Sequence, residues 1–341
     1  NSVAGNTVLG ENALDASVSG GDNTAIGKDA LTANTSGANN VAVGSNALDA
    51  NTTASNNTAL GRNSLGVNTT GANNTGLGQG TLAANTTANN NVAVGDNALV
   101  LNTTGTRNTA VGTAALDANT TASFNTALGY AALGANTTAS YNTALGDAAL
   151  ASNTTGSKNV AVGQVALNVS TTGINNVAVG NETLDANTTG SNSTAVGTTA
   201  LGANTTGNGV AIGYQALLSN TTGSNNTAVG TNSLRSITNA FDNVAVGSSA
   251  MQNASSISAV NNVAVGMNAL KNTTSGNNIA VGKSALEANT TGSSNIAIGR
   301  GALEANTTGT NNVAIGDIAL DANQSGTHNV AIGLGWFIYK L

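Results

Sequence analysis

The sequence predicts an all-β chain wound into a parallel β-solenoid, about 20 turns of a 17-residue repeat. Three observations predict it. First, a pentapeptide of the form N-[VTI]-A-[VIL]-G recurs along the whole chain, starting at 6, 23, 40, 57, 74, 91, 108, 125, 142, 159, 176, 193, 209, 226, 243, 262, 278, 295, 312 and 329, with Ser193 and Gly209 in place of the Asn. Sixteen of the nineteen intervals are 17 residues; those beginning at 193, 243 and 262 are 16, 19 and 16. Second, the fifth position is Gly in every copy, from Gly10 to Gly333. Third, the 341 residues are 7% charged and 2% aromatic, with 43 Gly and neither Pro nor Cys. Such a chain cannot fill a thick globular core, but it can fill a thin one shared between stacked turns.

The consensus N-V-A-V-G-x-x-A-L-x-A-N-T-T-G-x-N explains itself element by element. The second position is β-branched, as in Val41, Thr58, Val92 and Ile279, and the fourth is aliphatic. They share one face of a short strand, because side chains alternate. The Ala between them, replaced only by Val8 and Gly76, suggests that something packs closely against its face. The corner glycines, among them Gly44, Gly61, Gly95 and Gly299, call for a positive φ or a close backbone approach. Four residues on comes Leu, replaced only by Met251 and Phe337. N-T-T-[GA] then supplies turn chemistry. Stacking at ~4.8 Å gives a core ladder, to which Val43, Leu48, Leu60, Leu65, Val94, Leu99, Ile298 and Leu303 are assigned, and an Asn ladder beside it. Twenty turns at that spacing make a rod of roughly 100 Å.

The rod is expected over residues 1–333, with 334–341 as a cap or a junction to a following segment, because Trp336, Phe337, Ile338 and Tyr339 break the repeat. The chain begins at Asn1 without Met or signal peptide, so a processed or excerpted piece is expected. Each turn offers one aliphatic strand residue, one Leu and a few Ala, which is meagre for a lone coil. A homotrimer packed along the Ala faces is expected.

The N-V-A-V-G and N-T-A-L-G pentapeptides, as at Asn40–Gly44 and Asn57–Gly61, resemble the head repeats of trimeric autotransporter adhesins. Gly213–Gly230, G-Y-Q-A-L-L-S-N-T-T-G-S-N-N-T-A-V-G, resembles repeats of phage tail-fibre and tail-fibre-like proteins still more closely. The resemblance covers residues 1–335. It implies a left-handed β-roll, usually trimeric, displayed outside the cell or on a virion for adhesion or host recognition. The adhesin head repeat is shorter than 17 residues, and neither a heptad stalk nor a membrane-anchor barrel is present in this sequence.

Catalytic and ligand chemistry is sparse. His328 is the single His, at a corner where other copies carry Asn, Ser, Arg or Lys. No Cys/His cluster suits zinc, no phosphate-binding loop is present, and no cofactor or catalysis is expected. Net charge is −6 with nine Lys and Arg spread along the chain, which argues against nucleic acid. No apolar run is long enough to cross a membrane. Glu287, Glu304 and Asp321 occupy one repeat position in successive turns; they either splay into water or share a cation through oxygen ligands. The N-T-T and N-T-S triplets at Asn34, Asn51, Asn68, Asn102 and Asn204 match the glycosylation pattern, but Asn-Thr is also good corner and ladder chemistry. Rows of Thr suggest ice binding, yet adjacent Thr point to opposite sides.

The functional expectation is an extracellular or cell-surface fibre, or part of a virion tail, that self-associates and attaches to a host surface or receptor. A plain spacer shaft is the alternative. Irregular segments Arg235–Asp242 and Gln252–Val260, with Phe241 and Ile257, are the candidate recognition loops.

Overall fold

In a computed structural model, residues 5–16 and 18–335 are described. The expected cap residues Trp336, Phe337, Ile338 and Tyr339 lie outside them. The chain is a parallel β-solenoid with twenty strands of three or four residues and, among the described residues, no helix. Two units are distinguished, Asn1–Ile174 and Asn175–Leu341. The first carries β1 (Thr7–Leu9) to β10 (Val160–Val162), the second β11 (Val177–Val179) to β20 (Val330–Ile332). Within each unit every strand pairs in parallel with the next in register: Val41 opposite Thr58, Ala42 opposite Ala59, Val43 opposite Leu60, and likewise Ile296, Ala297 and Ile298 opposite Val313, Ala314 and Ile315.

Only one side of each coil is a strand. The side bearing Leu is a run of tight turns with two left-handed residues per coil, such as Asn46 (φ 57°) and Leu48 (φ 52°). Its backbone still ties layers together, Leu48 N–H donating to Ser64 O at 3.1 Å and Leu303 N–H to Ala319 O at 3.0 Å. Left-handed Leu is sterically costly. It recurs because this twist turns every Leu inward, where Leu48, Leu65, Leu99 and Leu303 are fully buried. Between the two sides sits the glycine corner. Gly44 has φ 135°, and a Cβ there would lie 2.7 Å from the backbone of Gly61 one layer on. Gly is thus required both for its conformation and for its lack of bulk.

The strand residues overturn part of the expected core. Val43, Leu60, Val94 and Ile298 do not line the interior. Leu60 is 43% and Ile298 39% exposed, and Val43 and Val94 are half-buried. The Ala between them points inward: Ala42, Ala59, Ala93 and Ala297 are fully buried. The Ala face is therefore the inside of the coil and not a face on which copies pack. The reason is width. The inward strand position opposes the small residue that precedes Leu, as the coil with Gly76 in place of Ala shows. A Cβ on Gly76 would come within 2.4 Å of Ser64 Oγ and 2.8 Å of Thr81 Oγ1. Those hydroxyls replace two Ala and bond each other at 2.7 Å, so Gly76 is the room they need.

The interior holds two Asn columns. Asn40, Asn57, Asn74 and Asn91 precede the strands, and Asn51, Asn68, Asn85 and Asn102 open the N-T-T turn; all are fully buried. Asn57 N–H donates to Asn40 Oδ1 at 3.0 Å, and Asn57 Nδ2 to Gly71 O at 2.9 Å. In the second column Asn51 Nδ2 reaches Asn34 Oδ1 and Ala54 O, each at 3.0 Å. Asn40 Nδ2 meets the same Ala54 carbonyl at 2.9 Å, so one oxygen joins both columns. Buried amides that would be costly alone are satisfied by stacking. The first Thr of each turn adds a hydroxyl ladder, as from Thr69 to Thr86 O at 3.0 Å.

Candidate recognition surfaces

Three surfaces follow from this inside-out order. The first is the outer strand face. Two apolar or Thr side chains per coil point outward, and Leu77, Leu128, Ile212, Val244, Ile279 and Ile315 are all exposed. Within each unit these residues form a strip without a charged side chain in the strands. The second position is Thr in many coils, as at Thr58 and Thr126, but the fourth is aliphatic in every strand; an exposed aliphatic column of this kind marks an association surface.

The second comprises the irregular segments. Arg235–Asp242 keeps the coil geometry, but Ile237 stands, fully buried, where the Asn column would continue. Asn220 Oδ1, facing the gap, has no partner. Phe241 is 48% exposed. In Gln252–Val260 two extra residues enter the N-T-T turn. Ala259 O takes over the carbonyl role, accepting Asn243 Nδ2 at 2.7 Å, and Ile257 stands out 67% exposed. The following short coil accommodates this insertion: Asn277 N–H donates to Val260 O at 3.0 Å. Phe241 and Ile257 are thus both surface residues; Ile237 in the first segment interrupts the Asn column, whereas the second segment keeps the carbonyl contact through Ala259.

The third surface escaped the sequence reading. Column residues before the strands are Asn39, Asn56, Asn73 and Asn90, then Arg107, Phe124, Tyr141 and Lys158 in successive coils. The Phe124 and Tyr141 rings stack 5.0 Å apart at 4°, and the Arg107 guanidinium lies 5.2 Å over Phe124. All four are exposed. Four consecutive departures from Asn at one repeat position were the available signal.

The acidic column of Glu287, Glu304 and Asp321 is half-exposed to exposed. No group of three His, Cys, Asp or Glu among the described residues could hold a metal ion, so the shared cation site is not assembled. At the same position in other coils, burial raises the carboxyls of Asp49, Asp117 and Asp185 above their ordinary range, with the Glu182 charge adding to Asp185 and that of Asp29 to Asp49. His328 is an exposed corner residue 3.4 Å from Asn311. The Asn of the N-T-T and N-T-S triplets, Asn34, Asn51, Asn68, Asn102 and Asn204, are fully buried, which closes them to glycosylation in the folded chain. No helix among the described residues is long and apolar enough to cross a membrane.

Compared with known proteins, the chain matches no family, no curated protein and no solved structure.

Proposed function

We propose that the chain is the scaffold of an extracellular attachment fibre that assembles from copies of itself, three in the arrangement suggested by the resemblance to adhesin heads and tail fibres. The supporting observation is the outer strand face, whose fourth position is aliphatic in coil after coil and which is uncharged within the strands. A partner that covers such a strip must itself be long, apolar and periodic at the inter-strand spacing. A second copy of the chain meets all three requirements. Tight stacking of interchangeable coils suits a passive support, and the irregular side chains on its flanks suit recognition.

Two measurements test this reading. Sedimentation equilibrium of the intact chain should give a trimer mass at micromolar concentration; a monomer would remove the assembly. Binding to a glycan array and to whole cells should persist when the scaffold is intact and fall when Phe241 and the Ser255–Ser258 bulge are returned to the repeat consensus. The plain spacer shaft, favoured by the regularity of the remaining coils, predicts no binding to either.

A further inference from the structure

We propose that the column Arg107–Phe124–Tyr141–Lys158 is a binding site for a linear acidic glycan. The proposal rests on the attachment role above and gives it a location and a ligand chemistry.

The backbone at these corners is left-handed in all four coils, with φ of 57° at Arg107, 62° at Phe124, 65° at Tyr141 and 62° at Lys158. Asn is the residue that tolerates this conformation best, and it occupies the neighbouring corners at Asn73 and Asn90. Left-handed non-Gly residues recur in coil after coil of this fold, as at Leu48, Val165 and Ile318, so the conformation alone marks nothing. What sets these four coils apart is that exposed cations and rings stand in succession where the preceding coils carry Asn. The rings and the guanidinium are ordered against one another and left open to solvent.

The geometry selects the ligand. The rings face each other and the Arg107 guanidinium covers the second face of Phe124, so the column turns ring edges to solvent. Ring edges carry positive partial charge. Above and below them stand two of the nine cations of the chain, about 14 Å apart over three layers. Cation, edge, edge, cation makes a strip of one sign on an otherwise acidic chain. The Thr126 and Thr143 hydroxyls, exposed two residues further on, are positioned for a hydroxyl-rich partner. Two cations are too few for a nucleic acid, whose affinity comes from neutralising many phosphates. A sparsely charged polysaccharide lying along the strip fits.

Surface plasmon resonance of the intact chain on immobilised hyaluronan, κ-carrageenan and neutral dextran tests this, the first two, both sparsely charged, separating carboxylate from sulfate recognition. Binding to at least one acidic glycan is expected, with none to neutral dextran. The double variant Phe124→Asn/Tyr141→Asn and the double variant Arg107→Asn/Lys158→Asn should each weaken it at least tenfold, with melting temperature unchanged or raised. Acidic-glycan binding that survives both variants overturns the site while leaving attachment standing. A chain that binds no glycan and no cell overturns both. Tighter binding to a thymidine oligonucleotide than to either acidic glycan, or equal binding to neutral dextran, also overturns it.

Discussion

The two units share an interior and differ in what they show to solvent. Both bury Ala, Leu and Asn in the same positions. On the outer strand face the first unit carries Thr at Thr7, Thr24, Thr58, Thr75, Thr109, Thr126 and Thr143, and Leu at Leu9, Leu60, Leu77, Leu128 and Leu145. The second has Thr only at Thr194 and Thr227, and otherwise Val and Ile. The aromatic–cationic column lies in the first unit and the irregular coils in the second. The interior is constrained because each side chain must match its own copy one layer away, whereas the exterior is free to specialise. The second unit offers the drier face for association, and the first the more polar surface for a ligand.

Breaking the shared interior gives the largest effect. Asn108 donates to Ala122 O at 2.8 Å and accepts from Asn125 N–H at 3.0 Å; Asn295 donates to Gly309 O at 2.8 Å and accepts from Asn312 N–H at 3.0 Å. Asn108→Ala and Asn295→Ala should each cost about 3 kcal/mol, through an orphaned N–H and a cavity. Denaturant titration by circular dichroism checks this, and unequal losses would break the claim of a common interior.

The outer face comes next. Ile279→Glu should weaken self-association by about thirtyfold, roughly 2 kcal/mol of lost apolar burial and charge desolvation. Thr58→Glu should weaken it several times less. Sedimentation reads both, and equal losses would erase the distinction between the faces.

A third test concerns the altered core of the first unit. Gly76→Ala alone should cost about 2 kcal/mol by overpacking against Ser64 and Thr81. Added to Ser64→Ala and Thr81→Ala it restores the common pattern and should cost nothing; thermal melts of the complete cycle measure the coupling.

Repair should also be possible. Ser170 stands where the second Asn column would continue, and neither its hydroxyl nor Asn153 Oδ1 finds a partner. Ser170→Asn should stabilise the chain by about 1 kcal/mol, read as a higher melting temperature.

The smallest effect is electrostatic. Burial raises the carboxyls of Asp117 and Asp185 in the folded chain, so folding binds their protons more tightly. Their contribution to stability is fully present below the ordinary carboxyl range and is lost as pH rises through the raised values. Asp117→Asn and Asp185→Asn should each gain a few tenths of a kcal/mol at pH 7, after allowance for solvent screening, and nothing at pH 3. Melting curves at the two pH values decide it.

Much of the architecture was legible because it is written twenty times. Period, strand, glycine corner, inward Leu and Asn ladder each left a recurring letter. Hydrophobicity misled about the strand, where Val43 and Ile298 looked like core and Ala42 like spacing. Two signals pointed the right way. Thr alternates freely with Val at the second position, as solvent permits, while the middle residue hardly varies. Gly76 appears in the coil where Ser64 and Thr81 replace Ala in two successive layers, a size exchange that contact explains; the single replacements at Thr183 and Ser233 leave the strand Ala in place. The aromatic column was hidden for the opposite reason: it departs from the repeat, and no rule of periodicity announces a departure.

The carbonyl that joins both Asn columns has a consequence for inheritance. Each coil hands the next the same donors and acceptors, so a gene segment encoding one period can be duplicated or excised by recombination without leaving a mismatched seam. Coils of 16 and 19 residues already sit in adjoining positions from 243 to 278. Length in such a lineage can drift by whole coils, adjusting reach while every surviving layer keeps its neighbours.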